Sequence, residues 1–203
     1  MRRATGAWLA IALISSAAGA GGPPSCTRAL LARLERGGRA ETRVTVTIRE
    51  GDLGAQSRRG VVMLELPDRM RLEYPGSGER LTARGDGGEW LQPAARQMLV
   101  MSADQAARAA GMWRALRGAG GAGFEERRLG ARSFELVSDG KKVAEAETVR
   151  VVLGGDGLPA TLETRLGDMV WTVRFGGWRF SPSRGRSAFV LHAPAGYEVM
   201  PMP

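Results

Sequence analysis

The chain of 203 residues holds one cysteine and one histidine, and each scarcity removes a class of chemistry. With Cys26 alone, no internal disulfide and no cysteine-rich metal site can form. With His192 alone, a histidine metal centre or a Ser-His triad would have to be built around one side chain. No G-x-S-x-G, H-E-x-x-H or P-loop spacing occurs. GAGGAG at 118–123 formally spells G-x-G-x-x-G. It follows a predicted helix rather than a strand and opens no helix of its own, so it reads as a flexible linker. The acids fall mostly in turns or opposite arginines, and His192 reads as a structural residue of a late strand. The sequence predicts no enzyme, no metal and no cofactor. Long apolar runs are also missing, since Trp8 to Ile14 is too short to span a bilayer.

That short run carries a different meaning. Arg2 and Arg3 precede it and Ala18-Gly19-Ala20 follows it, which is the pattern of a secretory signal cleaved near Ala20. Residues 1–20 are thus predicted to be a signal peptide and 21–203 a single exported domain. Hydrophobic content of 43% and charged content of 25% suit an ordinary globular domain. Cys26 lies close behind the signal. Lipoprotein signals usually carry Leu three places before the cysteine and a small residue just before it. Here Pro23 takes the Leu position and only Ser25 fits, so a free thiol is expected. The formal charge of +8 points to anionic lipid head groups or acidic proteins as partners rather than nucleic acid. The arginines are scattered among acids along the sequence and read as the solvated side of a sheet.

Alternation supplies the sheet. Thr42 to Arg49 puts Val44, Val46 and Ile48 on one face, with arginines and threonines on the other. Gly60 to Tyr74 reads as two strands broken at Pro67-Asp68. Val62, Leu64 and Leu66 share a face of the first, and Met70, Leu72 and Tyr74 of the second. Short strands follow at Leu81 to Arg84, Trp90-Leu91 and Gln97 to Met101, joined by turn signals. Phe134 to Val137 and a meander of Thr148–Leu153, Ala160–Leu166 and Met169–Phe175 come later. A charged loop at 140–147 precedes that meander. Trp178 to Phe180 and Ala188 to Leu191 close the domain, and APAGYEVMPMP reads as a proline-rich tail.

Two helices interrupt this pattern. Thr27 to Arg36 has Leu30, Leu31 and Leu34 as its stripe, with Gly37-Gly38 ending it. Ser102-Ala103-Asp104-Gln105 is a capping box opening a helix over 103–118, whose bulky residues are Met112, Trp113 and Leu116. So little apolar bulk suits a lid over a sheet better than the nucleus of a core. The predicted fold is α+β (mainly β), a curved antiparallel half-barrel sheet covered by a small helical lid. Its apolar face holds more greasy side chains than one thin helix can cover, and adaptable Trp and Met liners suit an apolar cavity.

The order of motifs resembles the LolA family, periplasmic carriers that ferry lipoproteins to the outer membrane of diderm bacteria. Gly60-x-x-x-Leu64-x-x-Pro67-x-Arg69-Met70-Arg71-Leu72-Glu73-Tyr74 is similar to the family's G-x-L-x-x-x-R-P-x-x-F-R-W-x-Y stretch. Asp86-Gly87 to Trp90, then Pro93 and Gln97, resembles its next hairpin, with one residue fewer before the tryptophan. A later V-x-V…D-G-L-P meander and the closing Phe189, Leu191, Pro194, Gly196 and Val199 agree as well. The resemblance implies a periplasmic monomer whose apolar cavity accepts the acyl chains of a lipoprotein or lipid. It also implies two partners, an inner-membrane lipoprotein-releasing transporter and an outer-membrane receptor.

The expected cavity liners are Val44, Val46, Ile48, Val62, Leu64, Leu66, Met70, Leu72, Tyr74, Trp90, Met98, Val100, Val151, Leu162, Trp171, Val173 and Phe175. The family carries an arginine directly before the motif proline that holds the lid shut. Leu66 stands there in this chain, which leaves Arg69 and Arg71 as candidate lid latches. Two other readings of the same fold stay open: a periplasmic sensor or interaction domain, and an outer-membrane receptor acylated at Cys26.

Overall fold

The computed structural model describes residues 25–51, 54–110, 116, 124–138, 148–166 and 168–202. The predicted signal peptide, Met112, Trp113, the 118–123 linker and the 140–147 loop lie outside the described residues. Helix α1 (Arg28–Gly37) buries Leu30, Leu31 and Leu34, as its stripe requires. It stops at Gly38, where φ is 85° and the backbone N–H donates to the Leu34 carbonyl at 2.7 Å. Only glycine enters that region without strain. The chain then turns directly into β1 (Arg39–Glu50).

The strands β2 (Ala55–Glu65), β3 (Arg69–Tyr74), β4 (Glu79–Arg84), β5 (Gly87–Gln92) and β6 (Gln97–Met101) form an antiparallel meander off one edge of β1. Off its other edge runs β11 (Met169–Phe175), followed outward by β10 (Pro159–Leu166), β9 (Thr148–Leu153), β8 (Ser133–Ser138) and β7 (Phe124–Arg128). The sheet is open and curved, with β1 near its middle although it is the first strand in the chain. The short β12 (Arg179–Ser181) adds to the start of β1, which explains why β1 begins three residues before the alternation at Thr42. Likewise β2 starts at Ala55, ahead of its apolar residues, because the backbone ladder to β1 runs unbroken from Arg49–Ala55 to Arg39–Glu65.

Three expectations at the ends need correction. The polar strand β7 carries no apolar alternation and is held by its ladder to β8. The expected tail instead contains β13 (Glu198–Pro201), which pairs in parallel with β6. Ala188–Leu191 is not a strand: a 3-10 turn covers Arg186–Phe189, and His192 stands exposed in irregular chain rather than in a strand. Helix α2 (Ala103–Ala109) has the predicted capping box. The Ser102 N–H donates to Gln105 Oε1 at 2.9 Å and the Gln105 N–H to Ser102 Oγ at 3.3 Å. Gln105 also donates from Nε2 to the Met202 carbonyl at 2.8 Å, tying the lid's start to the end of the chain.

At Gly60 the packing of β3 leaves no room for a side chain on β2. A Cβ there would sit 2.6 Å from the Glu73 carbonyl, and the Tyr74 ring lies against the same point. Absence of a side chain lets β3 lie close to β2, and the aromatic ring fills the gap.

Candidate functional site

Register decides which side chains meet on the concave face. Val62 pairs with Leu72, Leu64 with Met70, Leu72 with Leu81 and Leu81 with Trp90. Across the other edge of β1, Val46 pairs with Val173, Val173 with Leu162, Leu162 with Val151 and Val151 with Phe134. Paired residues point to the same side of a sheet. One continuous apolar face therefore runs from β5 to β8. Val44, Val46, Val62, Leu64, Met70, Leu72, Val151, Leu162 and Val173 are all buried there in one cluster with Leu30, Leu31, Leu34 and Leu116. Each leucine taken from water contributes roughly 1.5–3 kcal/mol.

The remaining expected liners differ in cover. Ile48, Leu66, Tyr74, Trp90, Trp171 and Phe175 are only half-buried against that cluster. Ile48 and Trp171 are direct register partners. Helix α1 enters β1 at Arg39, so it lies over the beginning of that strand. Ile48 is nine residues further on, roughly 30 Å along an extended chain. The Tyr74 ring is capped by the Arg58 guanidinium, 4.1 Å from its centroid, and Arg58 also pairs with Glu79. A charged rim thus borders the apolar face on this side.

Met98 and Val100 do not join this face. The β5–β6 hairpin pairs Leu91 with Met98 and Trp90 with Leu99, so Leu99 and Met101 accompany Trp90 inward. Met98 turns outward into a small cluster with Leu91 and Leu191, and Val100 is 41% exposed. The six residues between Trp90 and Gln97 hide this register, because a turn one residue longer would have reversed it. Phe134, Leu136 and Val149 are buried liners that were not singled out, although alternation in Phe134–Val137 carried the signal.

Alternation turns Arg69 and Arg71, the candidate lid latches, away from α1 and α2. Arg69 reaches Glu65 at 3.1 Å and the Leu66 carbonyl at 3.2 Å. Arg71 donates to Glu73 and, from its other nitrogen, to the Ala188 carbonyl at 2.7 Å. Arg71 thereby fastens the C-terminal segment to the convex face.

The inner face is pinned to α1 elsewhere. Glu126 on β7 accepts the Cys26 N–H at 3.1 Å and the Ser25 hydroxyl. Burial pushes the Glu126 carboxyl up, but these bonds outweigh it and hold the group below the usual carboxylate range. The Cys26 thiol is 1% exposed and pushed up to about 12, first by burial and then by the Glu126 charge. It stays a neutral, inert thiol at pH 7.

Two hollows stand out among those lined by described residues, and neither is lined by an expected cavity residue. One, of about 460 Å³, sits among Pro67, Asp68, Arg69, Arg84, Gly85, Asp86 and Arg186; the other, of about 250 Å³, is edged by Arg33, Arg36, Gly37 and Phe180. Where α1 covers the concave face, its leucines fill the space. Among the described residues no cluster of three His, Cys, Asp or Glu side chains could hold a metal, and no helix is long and apolar enough to cross a membrane.

An open, mostly antiparallel sheet with helices against its apolar concave side forms a curved half-barrel, the architecture implied by the sequence motifs. No family model matches the sequence, and no curated protein does. Solved structures match by fold. An uncharacterised conserved protein from Thermus thermophilus has a TM-score of 0.50 at 14% identity, covering 86% of this chain and 98% of its own. An outer membrane lipoprotein-sorting protein domain from Vibrio parahaemolyticus has 0.49 at 10% identity, over 81% and 94% of the two chains. A LolA superfamily protein from Nitrosomonas europaea has 0.43 at 12%, over 81% and 97%.

Proposed function

We propose that the protein is a periplasmic carrier that shelters the acyl chains of a lipoprotein or lipid against its concave face and releases them at the outer membrane. The observation that supports this most directly is the uneven cover of that face. Beneath α1 the apolar residues are sealed, whereas Ile48 and Trp171 are left half-exposed on the same face. Two large apolar side chains held side by side and partly wetted form a foothold for hydrocarbon. Each methylene removed from water there stabilises the complex by about 0.8 kcal/mol. Further chain length would enter as α1 and the segment carrying Leu116 shift from the sheet. The carrier would pass its cargo between an inner-membrane transporter and an outer-membrane receptor, with direction set by their relative affinities.

The observed burial of Cys26 weighs against the reading as a receptor acylated there, because the thiol would have to leave the core to carry lipid. Native mass spectrometry of protein purified from the periplasm tests the carrier. Bound lipid is expected in the wild type and lost in Ile48→Glu/Trp171→Glu, with circular dichroism unchanged. Lipid-free wild type, or equal lipid in the variant, would overturn it.

A further inference from the structure

We propose that the uncovered convex face of β2, β1, β11 and β10 is a docking surface for an anionic lipid bilayer. The register gathers there what the sequence scatters. Arg59 pairs with Thr45 and Thr45 with Arg174 across three adjacent strands. Two rows further along, Arg49 and Arg165 flank Val170. Arg43 lies two residues before Thr45 on β1, and Arg150 lies across Glu163 on the next strand out. Alternation places all six guanidinium-bearing side chains on one face, spread over roughly 20 Å along strands spaced about 4.8 Å apart.

All six arginines are exposed, and none forms an ion pair among the described residues. Two acids, both half-buried, stand in these rows: Glu163 and Glu135 flank Arg150, and Glu135 is paired with Arg127. Between the arginines stand Thr45, Thr47, Ser57, Thr161 and Thr172, short hydroxyl side chains that leave the cations proud of the surface. Such a surface is broad and cationic, and neither of the two hollows described above is lined by its arginines. An array of lipid phosphates offers the matching geometry, and guanidinium groups bind phosphate oxygens through paired N–H donors. Each such cation near an anionic bilayer contributes a roughly fivefold gain in partitioning, lost within a Debye length as salt rises. The contact asks nothing of the concave face, so it forms with or without cargo.

Co-sedimentation with vesicles decides the matter. The probes are phosphatidylcholine alone and phosphatidylcholine with phosphatidylglycerol, each at low and high sodium chloride. The protein should bind only the anionic vesicles, and high salt should release it. Arg59→Gln/Arg174→Gln should weaken binding about thirtyfold. Arg28→Gln/Arg36→Gln, an equal charge change at exposed positions of α1, should weaken it by less than about threefold. Absence of binding to anionic vesicles at low salt, or an equal loss in the α1 pair, would overturn the proposal.

Discussion

The convex side of this sheet is two surfaces with opposite treatment of the same residue type. Over β3 to β5 the arginines are consumed by the protein itself. Arg84 holds Glu89 through two bonds of 2.7 Å, and Glu89 also accepts the Thr82 hydroxyl at 2.7 Å and the Leu191 N–H at 3.3 Å. Glu65, 1% exposed, accepts the Ser183 hydroxyl at 2.8 Å and the Arg184 N–H at 2.6 Å. Arg39 donates to the Ser181 hydroxyl, Arg71 to the Ala188 carbonyl and Arg84 to the Phe189 carbonyl. Residues 181–191 are thereby strapped across the sheet with Phe189 sealed beneath. Beyond Arg39 and Glu65, which hold the strap at one end of β1 and β2, no such strap crosses β2, β1, β11 and β10 among the described residues, and the six arginines there form no ion pair among those residues. An arginine's role here is set by whether a chain segment crosses above it.

The largest test of that contrast is Phe189→Ala. Its side chain is fully buried under the strap, and its loss should cost about 4 kcal/mol, lowering the melting temperature by about 12 °C. Glu89→Gln comes next, because it strands the Arg84 charge in a nearly enclosed site. Denaturant unfolding should show a loss of about 3 kcal/mol. The same carboxylate predicts a pH dependence. Burial pushes its pKa up, but the Arg84, Thr82 and Leu191 bonds prevail and hold it below 4.5. A depressed folded value stabilises the protein above 4.5 and loses that contribution as pH falls through it. Urea midpoints should fall between about pH 6 and pH 3 in the wild type and fall less in Glu89→Gln. On the bare half, Arg174→Gln should change stability by less than about 0.5 kcal/mol. A loss as large as that at Glu89 would mean the two surfaces are built alike.

The meander was legible wherever alternation coincided with a buried face. Thr148–Leu153 and Met169–Phe175 have the predicted bounds because each carries inward Val or Trp at every second position. Strands made by pairing alone were not legible: β7 is FEERR and β13 is EVMP, ending on a proline. Faces were readable within a strand but not across a hairpin: Trp90 shares the face of Leu81, whereas Met98 and Val100 turn to the other side. The same limit hid the arginine cluster, since Arg59 and Arg174 are neighbours only through Thr45. It also hid one partner of Arg71, since the Ala188 carbonyl lies 117 residues further along the chain.

The position of β1 has a consequence for how this chain comes to be folded. Residues 39–101 can assemble from near neighbours, yet β1 keeps one side unpaired until 169–175 arrives. A growing chain would therefore display a sticky open ladder for most of its synthesis, a hazard for amyloid-like pairing with another copy. Threonine and arginine along that ladder blunt the danger by repelling a second identical strand. The cations that face outward in the finished molecule would thus have guarded it before it was complete.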